Sequence, residues 1–162
     1  MKNETLILGI DPGYSGALAF LRPATHELVV FDMPLTKGKS GKDEVDLRKL
    51  NEIIEPDRAF SRFVAVIEQV HAMPNQGISS AFRFGEGYGA LLMGITAHGY
   101  EVHKVIPANW KKAFGLSQDK GVSRGFASQQ FPNEAKSFAR VKDDGRAEAS
   151  LIALYGERKI LR

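Results

Sequence analysis

Leu6-Ile7-Leu8-Gly9-Ile10-Asp11-Pro12-Gly13-Tyr14-Ser15-Gly16-Ala17-Leu18-Ala19-Phe20 is the stretch that decides the fold. Two apolar runs flank a Pro-Gly turn, the pattern of two buried strands joined by a hairpin-type connection. Asp11 then stands at the end of a central strand. A carboxylate there is costly unless it is paired, exposed or bound to a metal. Taken alone, Asp11 does no more than cap the turn through its side chain. Its meaning depends on whether other carboxylates are placed in the same way.

Working outward, strands are expected over residues 5–11, 16–22 and 28–33, as an antiparallel three-stranded meander. Residues 34–44 are polar and glycine-rich and read as a mobile loop. Its three lysines either touch phosphates or are simply solvated. Residues 46–60 place Leu47, Leu50, Ile53 and Ile54 at helical spacing. Phe63-Val64-Ala65-Val66-Ile67-Glu68 then repeats the opening theme, an apolar strand ending on a carboxylate. A strand reached through a crossover helix lies parallel to its neighbour. Pairing with the first strand brings Asp11 and Glu68 out at the same edge of the sheet, where open α/β sheets place their sites.

The loop at 69–78 contains Met73-Pro74-Asn75-Gln76-Gly77. The helix after it, capped by Ser79 or Ser80, runs to about His98 and carries Gly85, Gly87, Gly89 and Gly94. Each interior glycine costs up to ~1 kcal/mol relative to alanine, so close approach must compensate, either within the chain or between two subunits. Residues 100–106 read as the last strand. A short helix opens at Pro107, another helix falls within 118–131, and Pro132-Asn133 breaks it. The final helix starts at Asp143 or Asp144 and runs through Tyr155. Asp144 and Glu148 lie one turn apart on its face. Dipole compensation accounts for an acid in the first turn, but not for Glu148, which lies among Ala147, Ala149, Leu151 and Ile152.

Asp11, Glu68, Asp144 and Glu148 thus supply carboxylates from two strand ends and one helix. Hard cations such as Mg²⁺ take oxygen ligands of this kind, completed by water and substrate phosphate. Two such ions about 3.5–4 Å apart support phosphodiester cleavage. With 162 residues, 43% hydrophobic and 25% charged, the chain suits one domain, 1–162, with a core of its own. No apolar run reaches the ~20 residues of a membrane span. The absence of cysteine rules out disulfides and thiolate metal sites. The opening residues lack a secretory pattern, so a cytoplasmic location is expected. The net charge of +3 is compatible with a polyanionic partner. Lys111, Lys112, Lys120, Arg124, Lys136, Arg140, Lys142 and Arg146 make the C-terminal third locally basic.

ILGIDPGYSGALAF, VAVIEQVHAMPN, FRFGEGYGALL, IPANWKKAFG and DDGRAEASLIALY occur here in the order of the RuvC family of Holliday junction resolvases, which the chain resembles over most of its length, especially the small phage-type members. The resemblance implies an α/β, RNase H-like fold, a five-stranded mixed sheet flanked by helices. It implies a homodimer that binds four-way DNA junctions and nicks two opposing strands with Mg²⁺, two ions per site, Mn²⁺ substituting. Asp11, Glu68 and Glu148 match the family's first, second and last acids. The remaining acid is Asp144 or its neighbour Asp143, with Asp144 preferred. The family often leaves two residues between its last two acids, whereas here there are three, and Gly145 holds the usual place. Where bacterial members carry an aromatic wedge, this chain has His71, which can stack on a base or touch phosphate. Lys120 falls where the family has a basic residue near the scissile phosphate, so it is either a catalytic stabiliser or a solvated loop lysine. Lys111, Lys112 and Arg124 are further candidate DNA contacts. The helix around 82–92 is a candidate dimer surface.

Three rivals remain open at this stage: a same-fold nuclease acting on flaps, forks or structured RNA; an actin-like nucleotide-binding lobe, which normally needs a second lobe; and a non-catalytic junction binder, which four retained acids disfavour.

Overall fold

A computed structural model of the chain describes residues 4–72 and 75–161. Met73 and Pro74, assigned above to the loop after Glu68, lie outside them. The strands are β1 (Thr5–Asp11), β2 (Ala17–Arg22), β3 (Glu27–Asp32), β4 (Leu35–Lys37), β5 (Asp43–Val45), β6 (Arg62–Glu68) and β7 (Glu101–Val105). The helices are α1 (Leu47–Ile54), α2 (Ile78–Ala97), α3 (Pro107–Ala113), α4 (Lys120–Gln130) and α5 (Asp144–Tyr155). Among the described residues, no helix is long and apolar enough to cross a membrane.

The main sheet has the order β3-β2-β1-β6-β7. β1, β2 and β3 form the antiparallel meander, and β6 and β7 add parallel to β1 and to β6. This is the five-stranded mixed sheet expected from the sequence. Both of its faces are covered in the centre, which is why β1 and β6 read as continuous apolar runs rather than alternating ones. Leu8, Ile10, Leu18, Ala65 and Ile67 pack under α1 and α2, against Leu50, Ile54, Leu91 and Ile95. Ile7, Ala19, Leu21, Val64 and Val66 pack on the other face against α5, Trp110 and Phe138. Tyr100 is buried on the first face and donates its hydroxyl to the Ile54 carbonyl (3.1 Å).

α5 is buried nearly all round, from Gly145 through Leu154. Such a helix must lie inside the molecule, and its small residues let it press onto β1. A Cβ at Gly9 would fall 2.2 Å from the Ala149 carbonyl oxygen and 2.4 Å from the Ala153 nitrogen. Gly9→Ala therefore pushes α5 off the sheet. A loss of about 3 kcal/mol or more in urea-induced unfolding is expected.

Several boundaries differ from the sequence reading. α1 stops at Ile54 rather than 60, because Pro56 drives Glu55 out of the helical region (φ −60°, ψ 119°). Its start is as read: Asp46 caps it by accepting from the Lys49 amide at 3.0 Å. Residues 34–44 are not a structureless loop. Leu35–Lys37 pairs with Asp43–Val45, and Lys37 bridges Asp43 at 2.7 Å. Three-residue strands are too short to show periodicity. α2 starts from Gly77 rather than Ser79 or Ser80. α4 ends at Gln130, just before Pro132 as expected, and Pro132 then opens a 3₁₀ segment (Pro132–Phe138) that was not foreseen. Of the four α2 glycines, two show close packing within the chain. Gly87 and Gly94 face Val45 (2.9 Å) and Ile54 (2.6 Å) of the same chain, whereas Gly85 and Gly89 face open space.

Candidate active site

The register decides the site. Ile10 pairs with Ile67 in the parallel β1–β6 ladder, so Asp11 and Glu68 leave neighbouring strands at the same level. α5 crosses the same face and delivers Glu148, only 8% exposed. The proximity registers electrostatically. Burial and the charges of Glu148 and Glu68 push the Asp11 carboxyl up to about 7. Burial first, then Glu148, also raises Glu68. Asp11 accepts one hydrogen bond, from the Gly13 amide at 3.3 Å. The Pro-Gly turn thus holds the carboxylate as a turn cap does, but it does so inside an acidic cluster.

Two neighbours compensate these acids. Lys111 on α3 is 7% exposed, and its Nζ lies 3.1 Å from Glu148 Oε1. Trp110, fully buried beside it, donates Nε1–H to Glu68 Oε2 at 2.9 Å. A buried indole needs an acceptor for its N–H, which is the one signal in the sequence that could have pointed to Trp110. Lys111 is not the exposed phosphate contact expected above. A lysine this deep cannot leave Glu148 without stranding both charges. Lys120 is the first residue of α4, behind the Asp119 cap, and is exposed. Its charge acts on both Asp11 and Glu68, lowering each.

Of the two neighbouring acids at the start of α5, Asp143 is committed elsewhere. It is 1% exposed, accepts from the Arg140 backbone at 2.9 Å and from its guanidinium at 2.7 Å, and sits well below the usual carboxylate range on account of Arg140. Asp144 lies one turn from Glu148 and pairs with Arg124 at 3.0 Å. The charges raising Asp11 are those of Glu148 and Glu68. The structure thus brings three of the four predicted acids together and holds Asp144 at their border with Arg124. Gly145, in the place where an acid was looked for, has no room for one: a Cβ would fall 2.1 Å from the Ser15 carbonyl oxygen. Arg146 grips Asp32 with two hydrogen bonds of 2.6 Å, tying α5 to the end of β3, a contact between residues too far apart in sequence to be foreseen. His71 and Lys112 are exposed.

Among the described residues, no three acids or histidines stand close enough to close around an ion by themselves. An open, all-oxygen set of mutually repelling carboxylates nonetheless suits a hard divalent cation, which keeps water and substrate oxygens in its shell.

The fold and the sequence are similar to those of known proteins. A structure described as T. thermophilus RuvC in complex with Holliday junction substrate superposes with a TM-score of 0.61 at 16% identity, over 96% of each chain. A further Thermus thermophilus RuvC structure gives 0.54 at 18% identity, over 93% of this chain and 95% of that one. A crossover junction endodeoxyribonuclease RuvC from Nitratidesulfovibrio vulgaris (strain Hildenborough) is 26% identical over 165 residues, 100% of this chain and 97% of its own. The chain is RuvC-like. No protein-family model matches it. The RuvC-like chain has the RNase H-like fold, and its similarity to RuvC runs from end to end, so the meander, the crossover strands and the acidic α5 all fall within it.

Proposed function

We propose that the protein is a structure-selective endodeoxyribonuclease that resolves four-way DNA junctions by paired nicks. The observation that carries this is the convergence of Asp11, Glu68 and Glu148 at one sheet edge, with Lys120 beside them, in a chain that is RuvC-like over its full length. Asp11, Glu68 and Glu148 would hold divalent cations, Mg²⁺ by preference and two per site, with Asp144 joining once Arg124 turns to phosphate. Bound there, the cations supply Lewis-acid stabilisation of the phosphoryl oxygens and an activated water. The chain's own part is positional. Trp110 fixes the rotamer of Glu68, Lys111 holds Glu148, and Lys120 faces the charge that develops on the scissile phosphate. Lys112 and His71, both exposed, together with Arg124, would contact the nucleic-acid backbone, so binding is expected to weaken with salt.

Two opposed nicks need two sites, and a twofold dimer suits a twofold junction. Phe82, Gly85, Gly89 and Met93 form one exposed stripe on α2. The two phenyl and thioether side chains are each 67% exposed. Phe82→Glu is expected to turn a dimer into a monomer in light scattering.

Trp110→Phe keeps an aromatic ring but is smaller and removes the donor to Glu68. It is expected to weaken divalent-ion affinity by about 10–100-fold in calorimetry, as lost orienting contacts to ligands do, and to lower stability by about 1–3 kcal/mol through the space left in the core and the lost hydrogen bond.

The functional test is a labelled four-way junction beside a matching linear duplex, with Mg²⁺ and then with EDTA. Paired, metal-dependent nicks confined to the junction are expected. Equal cutting of flaps and forks would widen the substrate class. Binding without cleavage in both Mg²⁺ and Mn²⁺ would overturn the enzymatic reading.

A further inference from the structure

We propose that the free edge of β3, two strands over from β1, accepts an extended segment of a second protein, one that alternates basic and apolar residues. The inference does not rest on the nuclease reading. β3 is the outermost strand, paired on one side only, with β2. α1 and α2 cover β1 and β6 but leave this margin open, and a groove of about 920 Å³ runs along it. Its floor is apolar: Phe20, Val29, Phe31 and Phe60. Val29 is 54% exposed and Phe31 is 41% exposed. They are alternate residues of one strand, so they share one face of the sheet.

Edge strands are normally blunted by a central lysine, a proline or a bulge. The β3 sequence Glu-Leu-Val-Val-Phe-Asp has none of these, and its two acids stand at its ends. Asp32 at its last position is held by Arg146, and the strand's outer edge is unpaired among the described residues.

The charge of the groove chooses the occupant. The chain carries +3 overall, yet the groove wall presents Glu27, Glu55, Asp57 and Glu134 against a single guanidinium. That one, Arg22, is already paired with Glu27 at 3.1 Å and stacked 4.8 Å over the Phe60 ring. A nucleic acid is repelled here. An extended peptide that hydrogen-bonds to β3, with apolar side chains over Val29 and Phe31 and basic ones toward the carboxylates, satisfies edge, floor and wall at once. Such a site would let the protein hold a partner on one side while its acidic cluster faces DNA on the other.

The probe is a fluorescently tagged octapeptide alternating lysine and valine, followed by anisotropy and by amide hydrogen exchange. One-to-one binding that weakens with salt, together with slowed exchange confined to the outward amides of β3, is expected. Glu27→Lys, at an exposed residue of the wall, combined with Glu134→Lys, at a half-buried one, is expected to weaken binding by about tenfold or more without changing junction cleavage. Val29→Lys is expected to do the same. The proposal is overturned if the peptide does not bind at millimolar concentration, if a glutamate–valine octapeptide binds equally well, or if protection falls outside β3. Protection of β3 that grows with protein concentration in the absence of peptide would overturn it too, by giving the edge to a second copy of the chain.

Discussion

Asp11→Asn is expected to lower junction cleavage on the order of a thousandfold or more while leaving junction binding intact, and to stabilise the metal-free protein at pH 8. The second half follows from the acidic cluster. In the folded chain the Asp11 carboxyl keeps its proton up to about 7, against 3.8 in its ordinary state. Between those values the folded protein holds a proton that the unfolded chain has lost, so stability falls as pH rises through this window. The total is up to about 4 kcal/mol, fully present below the lower value and gone above the upper. Glu68, raised by burial and by Glu148, adds in the same direction. Asparagine keeps an oxygen for the Gly13 amide but has no charge to bury, so the Asp11 part of the slope disappears. Unfolding in EDTA at a series of pH values measures it. A divalent cation reverses the order of the two proteins, because it binds the folded wild type and not the unfolded chain.

Lys111→Met is expected to cost about 3–5 kcal/mol in the metal-free protein at neutral pH, since it strands the Glu148 carboxylate at 8% exposure. Lys111→Met combined with Glu148→Leu recovers most of that loss, because a buried ion pair replaced by apolar groups of similar volume is often neutral. Denaturant unfolding of the two single variants and the double variant closes the cycle and isolates the pair. If Lys111 were an exposed phosphate contact, the single change would leave stability within about 0.5 kcal/mol. Added Mn²⁺ is expected to restore part of the stability of Lys111→Met but none of that of the double variant, which has lost a ligand.

The order of elements and the placement of the acids were legible because they rest on periodicity and strand ends. β1 and β6 each finish on a carboxylate, and the parallel pairing that brings Asp11 beside Glu68 follows from a single crossover through α1. Glu148 was legible by contrast, as a charge on an otherwise apolar helix face. The rest depended on contacts between distant residues. Nothing local distinguishes Lys111 from Lys112, yet α3 turns one inward onto Glu148 and the other to solvent. Asp143 and Asp144 are adjacent in sequence, and only the Arg140 clasp separates their uses. Trp110 carried no spacing signal, and its role emerges only where its N–H meets Glu68. The β4–β5 hairpin was too short for its pattern to outweigh the glycines and lysines around it.

Trp110 is the only tryptophan in the chain, and it is hydrogen-bonded to Glu68. A titration of its fluorescence with Mn²⁺ therefore tests most directly whether the three carboxylates form a cation site. Saturable quenching, competed by Mg²⁺ and abolished in Asp11→Asn, is the predicted result. Fluorescence that stays flat to millimolar Mn²⁺, or that quenches identically in Asp11→Asn, would contradict it.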